Sequence, residues 1–100
     1  MLSLRHTQSG NVFTLAIAGE LALETVDGLQ RALTARSPDT NRVILDCEKL
    51  LFADSTGVNA LLQAALALKR FTIRVDVVHL SDDLKEMLDI LGFFEVLDSL

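Results

Sequence analysis

The sequence predicts an α/β domain in which a mixed, mostly parallel sheet packs with helices, in the order ββαβαβα. Three observations carry this. Short segments of alternating apolar residues, the mark of half-buried strands, take turns with segments whose apolar residues recur at i, i+3, i+4 and i+7, the mark of amphipathic helices. A turn-like stretch, "SGN" at 9–11, separates the first two strand-like segments, which therefore form a hairpin. Each later strand is joined to the one before through a helix, and such crossovers give parallel neighbours of right-handed connection. Three strands are thus expected to run parallel, with the first antiparallel at an edge.

The elements follow in order. Leu2, Leu4, His6 and Thr7 outline a short edge strand, and "VFTLAIA" at 12–18 a second, with Phe13, Leu15 and Ile17 on one face and Gly19 at its end. Thr25 is placed to cap a helix carrying Val26, Leu29, Ala32 and Leu33, which stops near Arg36 because Pro38 cannot continue it. "RVILDC" at 42–47 reads as a short buried strand, and "EKLLFAD" as the linker behind it. From Gly57, the positions Val58, Leu61, Leu62 and Ala65 define a helix with a broad apolar face, extended by Leu66 and Leu68. "FTIRVDVVHL" at 71–80 alternates again. Ser81 or Asp82 caps a further helix with Leu84, Met87, Leu88 and Leu91 on its stripe, and Gly92 ends it. "FFEVLDSL" fits a short strand, a turn of helix or an unravelled tail.

The totals set bounds. The 100 residues make one domain, residues 1–100, and half of them are hydrophobic. With 5 Phe and no Trp or Tyr, Leu, Val, Ile and Ala must fill the core. A net charge of −5 with scattered basic residues argues against nucleic acid, whose phosphates require clustered Lys and Arg. The lone Cys47 fits a reducing compartment. The start "MLSLRHTQSG" has no apolar signal core, and the longest apolar run, "ALLQAALAL" at 60–68, is far short of a membrane span. A soluble, cytoplasmic protein with no membrane partner is expected.

Catalytic and metal constellations are hard to find. Neither His6 nor His79 has a Cys or carboxylate at ligand-like spacing, so no metal is expected, and His79 reads as structural. No glycine-rich phosphate loop is evident. Cys47 lies between Asp46 and Glu48, which disfavour a thiolate, and reads as a small core residue. The conspicuous stretch is "ADSTG" at 53–57. Its plain reading is a helix cap worth about 1 kcal/mol. Three features exceed that reading. Asp54, Ser55 and Thr56 give three capping-type side chains where one suffices. Gly57 sits in the first helical turn, where Gly loses about 1 kcal/mol to Ala unless something approaches the backbone closely; another molecule is the expected visitor. The loop also follows a parallel strand, at the sheet edge where open α/β folds place their sites. With no His or Lys partner in view, the hydroxyl is expected to be a substrate for modification, not a nucleophile.

"LLFADSTGVNALL" at 50–62 resembles the phosphorylation-site segment of STAS domains, especially those of bacterial anti-sigma factor antagonists. "AGEL" at 18–21 and "SDDLKEMLDILGFFEVL" at 81–97 resemble two further landmarks of that family, so the likeness covers essentially the whole chain. The resemblance implies a STAS-like fold and a partner switch. Unmodified, the protein binds an anti-sigma factor that is also a serine kinase; phosphorylation of Ser55 releases it, and a serine phosphatase restores it. It also implies a partner-binding surface of Asp54, Ser55, Thr56, Gly57, Val58 and Asn59, with Glu20 from "AGEL". ATP and its metal belong to the kinase, so no cofactor is expected here and the chain is not an enzyme. The sequence departs from the family in having Ala22 where Asp usually follows "GEL", Asn59 where Gly is frequent, and no Gly-rich turn around Lys69–Phe71. A second reading is a small cytosolic STAS subunit of a lipid transporter, docking on its ATPase without phosphorylation.

Overall fold

The computed structural model describes residues 1–99. Strand β1 (Leu2–Ser9) pairs antiparallel with β2 (Val12–Leu21), Ser9 opposite Val12, across a two-residue turn at Gly10 and Asn11. Helix α1 (Val26–Leu33) leads to β3 (Arg42–Ala53), helix α2 (Ser55–Arg70) to β4 (Arg74–Val78), and two helices, α3 (Asp82–Ile90) and α4 (Phe93–Asp98), complete the fold. The sheet order is β1-β2-β3-β4, with β2, β3 and β4 parallel, as the sequence predicts.

Alternation along the strands sends one set of side chains into the core. Phe13, Leu15 and Ile17 of β2 and Val43, Leu45 and Cys47 of β3 are all buried, while the intervening Thr14, Ala16, Ile44 and Asp46 are only half-buried. The buried set meets Leu29 and Leu33 of α1, Val58, Leu61, Ala65, Leu66 and Leu68 of α2, Leu84 and Leu88 of α3, and Phe93 and Leu97 of α4 in one cluster. Burying each Leu, Val or Phe contributes about 1.5–3 kcal/mol, so packing outweighs any single cap in holding α2 to the sheet.

Two strands run longer than expected and one expected helix cap is not made. β2 does not stop at Gly19 but runs to Leu21, and β3 does not stop at Cys47 but runs to Ala53. The "EKLLFAD" linker is therefore mostly strand. A register shift between Ala16 and Ala18 of β2 interrupts the pairing with β3, which resumes at Lys49 and reaches Ala53 opposite Leu21. That irregularity breaks the period of two, leaving Leu50 buried and Leu51 and Phe52 exposed. The closing segment, with three conformations open to it, forms α4: Phe93 and Leu97 are buried, and Lys69 Nζ donates to the Leu97 carbonyl at 2.6 Å. Thr25 precedes α1 but does not cap it. Its hydroxyl turns back, accepting from Ala22 N–H at 2.9 Å and donating to the Glu20 carbonyl at 3.0 Å. At both ends of α3 the reading stands: Ser81 Oγ accepts from Leu84 N–H, and left-handed Gly92 follows the helix.

Candidate functional site

The "DSTG" stretch lies where β3 gives way to α2, at the end of the sheet reached by the carboxyl ends of its parallel strands. Asp54 is the N-cap. Its backbone is extended, and its Oδ1 accepts from Gly57 N–H at 2.7 Å, which satisfies one of the orphan donors of the first turn. Ser55 is consequently the first helical residue and has no capping duty. Its side chain is exposed, and among the described residues its hydroxyl makes no hydrogen bond to the chain. Thr56 and Asn59 are exposed as well, as is Glu20, which stands opposite Phe52 where β2 pairs with β3.

Gly57 and Val58 are buried, and here the expectation needs correction. The close visitor at Gly57 is not another molecule. A Cβ added there would overlap the backbone carbonyl of Leu21, at the end of β2. The same carbonyl accepts from Asp54 N–H at 3.2 Å. Gly57 is thus the joint that lets α2 start directly against β2, and Val58 belongs to the core. Both set the position of the exposed residues without offering a side chain to a partner.

Ser55 faces α3, which the sequence reading did not connect with it. Between them runs an open groove of about 300 Å³, lined by Ser55, Asp83, Glu86, Met87, Ile90 and Leu91. A smaller hollow of about 160 Å³ continues past Ser55 and Leu91 to Asn59, Leu62 and Phe93. Ile90 is 75% exposed and Leu91 48% exposed, so Leu91 leaves the buried stripe to which its spacing assigned it. The one signal in the sequence was Ile90, an apolar residue off that stripe. The groove brings together a free hydroxyl, exposed aliphatic surface and two carboxylates. Among the described residues, neither carboxylate is hydrogen-bonded to the hydroxyl.

The remaining candidates have ordinary surroundings. His6 stacks on Phe13 with ring centroids 5.3 Å apart. Cys47 is buried, and burial, aided by the charge of Asp46, pushes its thiol up to about 12. His79 does gain carboxylate neighbours that its sequence spacing hides. β3–β4 pairing sets its Nδ1 3.0 Å from Asp46 Oδ1, with Glu48 close by, and the three ligand-type atoms lie within 4.8 Å of one another. The hydrogen bond between them lowers the Asp46 carboxyl below its usual range and raises His79. His79 is exposed at a left-handed φ of 60°, so the contact is a surface hydrogen bond that becomes an ion pair when the ring is protonated.

A four-stranded sheet with one antiparallel edge, carrying its candidate site at the start of the second helix, defines a class of small α/β domains. The chain belongs to the STAS domain family, which it matches over residues 3–99. STAS domains are regulatory modules without catalysis of their own. Among solved structures, the chain is similar to an anti-sigma factor antagonist from Mycobacterium paratuberculosis, with a TM-score of 0.82 at 18% identity, covering 96% of this chain and 82% of that one. It is similar to the Bacillus cell fate determinant SpoIIAA in its phosphorylated form, with a TM-score of 0.71 at 18% identity over 95% of this chain and 86% of that one. A third, Mglu, is matched with a TM-score of 0.71 at 18% identity over 78% of this chain, which spans only 20% of that protein's length. At such identities the likeness concerns the fold. Among the described residues, no helix is long and apolar enough to cross a membrane.

Proposed function

We propose that this chain is an anti-sigma factor antagonist, the phosphorylatable member of a partner switch in the bacterial cytoplasm. Unmodified, it docks on an anti-sigma factor that is also a serine kinase; the kinase transfers phosphate from ATP to Ser55, the complex separates, and a serine phosphatase resets the switch. The observation that carries this reading is the division of labour at the start of α2: Asp54 caps the helix, leaving the Ser55 hydroxyl exposed and unengaged. Membership of the STAS family and the fold shared with anti-sigma factor antagonists support it.

The chemistry is consistent with a switch that spares the fold. Phosphate adds about −2 charges at a helix N-terminus, where free N–H groups and the helix dipole favour an anion by about 0.3–1 kcal/mol. The domain therefore tolerates modification. A partner that covers Ser55 does not, because a dianion enclosed in an interface costs several kcal/mol unless cations meet it. The test is to incubate the protein with ATP and each serine-kinase anti-sigma factor of its genome, then to locate the modified residue by peptide mass. Ser55 is the expected site. Ser55→Ala should keep kinase binding and Ser55→Glu should lose at least about tenfold in affinity. Modification at Thr56 alone, or an unimpaired acidic variant, rejects the reading.

A further inference from the structure

We infer that the groove between α2 and α3 is the seat of one side-chain anchor from the kinase: an aliphatic residue flanked by Lys or Arg. This rests on the proposed switch and specifies the chemistry of its partner. The apolar half of the argument is exposure. Ile90 and Leu91 stand 75% and 48% exposed on the wall facing Ser55, with half-buried Met87 at the floor. Leaving two neighbouring aliphatic side chains in water forgoes burial that a docked aliphatic group would supply. The charged half is complementarity. The ionisable residues lining the groove are Asp83 and Glu86, three apart and so on one face of α3, and both are exposed. Across α3 as a whole, Asp82, Asp83, Glu86 and Asp89 face a lone Lys85. A segment with cations beside its anchor is attracted to this rim, and an acidic one is repelled.

The arrangement also says how phosphate would work. Ser55 shares the groove with Ile90 and Leu91, and none of the lining residues is a cation that could fold over a phosphate. A phosphorylated Ser55 would stand, hydrated, in the space the aliphatic anchor needs. Eviction thus comes from occupancy and desolvation at the apolar wall.

Binding of the full chain to the panel of serine-kinase anti-sigma factors, followed by biolayer interferometry, decides the matter. Against a kinase that binds the wild type, Ile90→Asp should weaken affinity at least about tenfold, as loss of a central anchor does. The double variant Asp83→Lys, Glu86→Lys should weaken it to a similar degree and flatten its dependence on salt. Phe71→Asp, at an equally exposed apolar position (70%) at the far end of α2, should bind as wild type. Circular dichroism of each variant confirms the fold, which such exposed positions spare. If Ser55→Glu loses binding while the α3 variants retain it, the switch stands and the groove assignment falls. If no kinase of the panel binds the wild type, both fall together.

Discussion

Asp54 and Ser55 are neighbours with the same capping chemistry, and the structure gives the task to only one of them. The carboxylate reaches Gly57 N–H at 2.7 Å, while the serine, one residue farther on, has already entered the helix with its hydroxyl turned to solvent. Stability should register this asymmetry. Asp54→Ala removes the cap and should cost about 1 kcal/mol, a fall in melting temperature of about 4–8 °C for a domain of this size. Ser55→Ala removes a hydroxyl that holds nothing and should stay within about 0.5 kcal/mol of wild type. Chemical denaturation of the two variants side by side checks this. A serine variant as damaged as the aspartate one would mean that Ser55 serves the helix, and a modification there would then threaten the fold.

The contact between α2 and β2 decides what was legible in the sequence and what was not. Periodicity found the helices because their apolar positions recur whatever they pack against, as with Val58, Leu61 and Ala65. It lost β3 beyond Cys47, because an irregular pairing shifts the register and destroys alternation across Lys49–Ala53. The site showed the same split. Asp54, Ser55 and Thr56 were visible as a local motif. The α3 wall was not, because Asp83 and Leu91 lie 28 and 36 positions beyond Ser55 in the chain, and only tertiary packing unites them. Gly57 does mark a close approach, but the visitor is the chain's own backbone. The carbonyl of Leu21 leaves no room for a Cβ, so Gly57→Ala must push α2 off the end of β2. Ala gains about 1 kcal/mol in helix propensity, while overpacking against backbone, which cannot rotate away, typically costs about 1–3 kcal/mol and sometimes more. Because the obstacle is a backbone carbonyl, the cost lies at the upper end of that range, and a net loss of about 2 kcal/mol on thermal unfolding is expected. An alanine variant as stable as wild type would show that the two elements do not abut.

On the scale of the whole molecule, the radius of gyration of 12.5 Å is close to the ~13 Å expected of a compact chain of 100 residues. One cluster joins side chains from β2, β3 and all four helices, so the core is expected to open as a unit. Cys47 can report on that opening. It lies on β3 with 1% of its surface exposed, and its thiol is pushed up to about 12, first by burial and then by Asp46. With that value, roughly one thiol in ten thousand is ionised at pH 8, against about a quarter for an ordinary cysteine, and the thiolate is the reactive form. Access and ionisation are both withheld until the core comes apart. Labelling with a disulfide reagent at pH 8 should therefore run at least about a thousandfold slower than in the denatured chain. Its rate should climb with urea in step with the population of open molecules, as measured by circular dichroism. Labelling that ignores low urea would betray a local opening of β3, the strand that carries the chain to Ser55. Labelling that follows global unfolding would mean that the serine is presented by a rigid edge, so that phosphate changes the docking surface without loosening the domain beneath it.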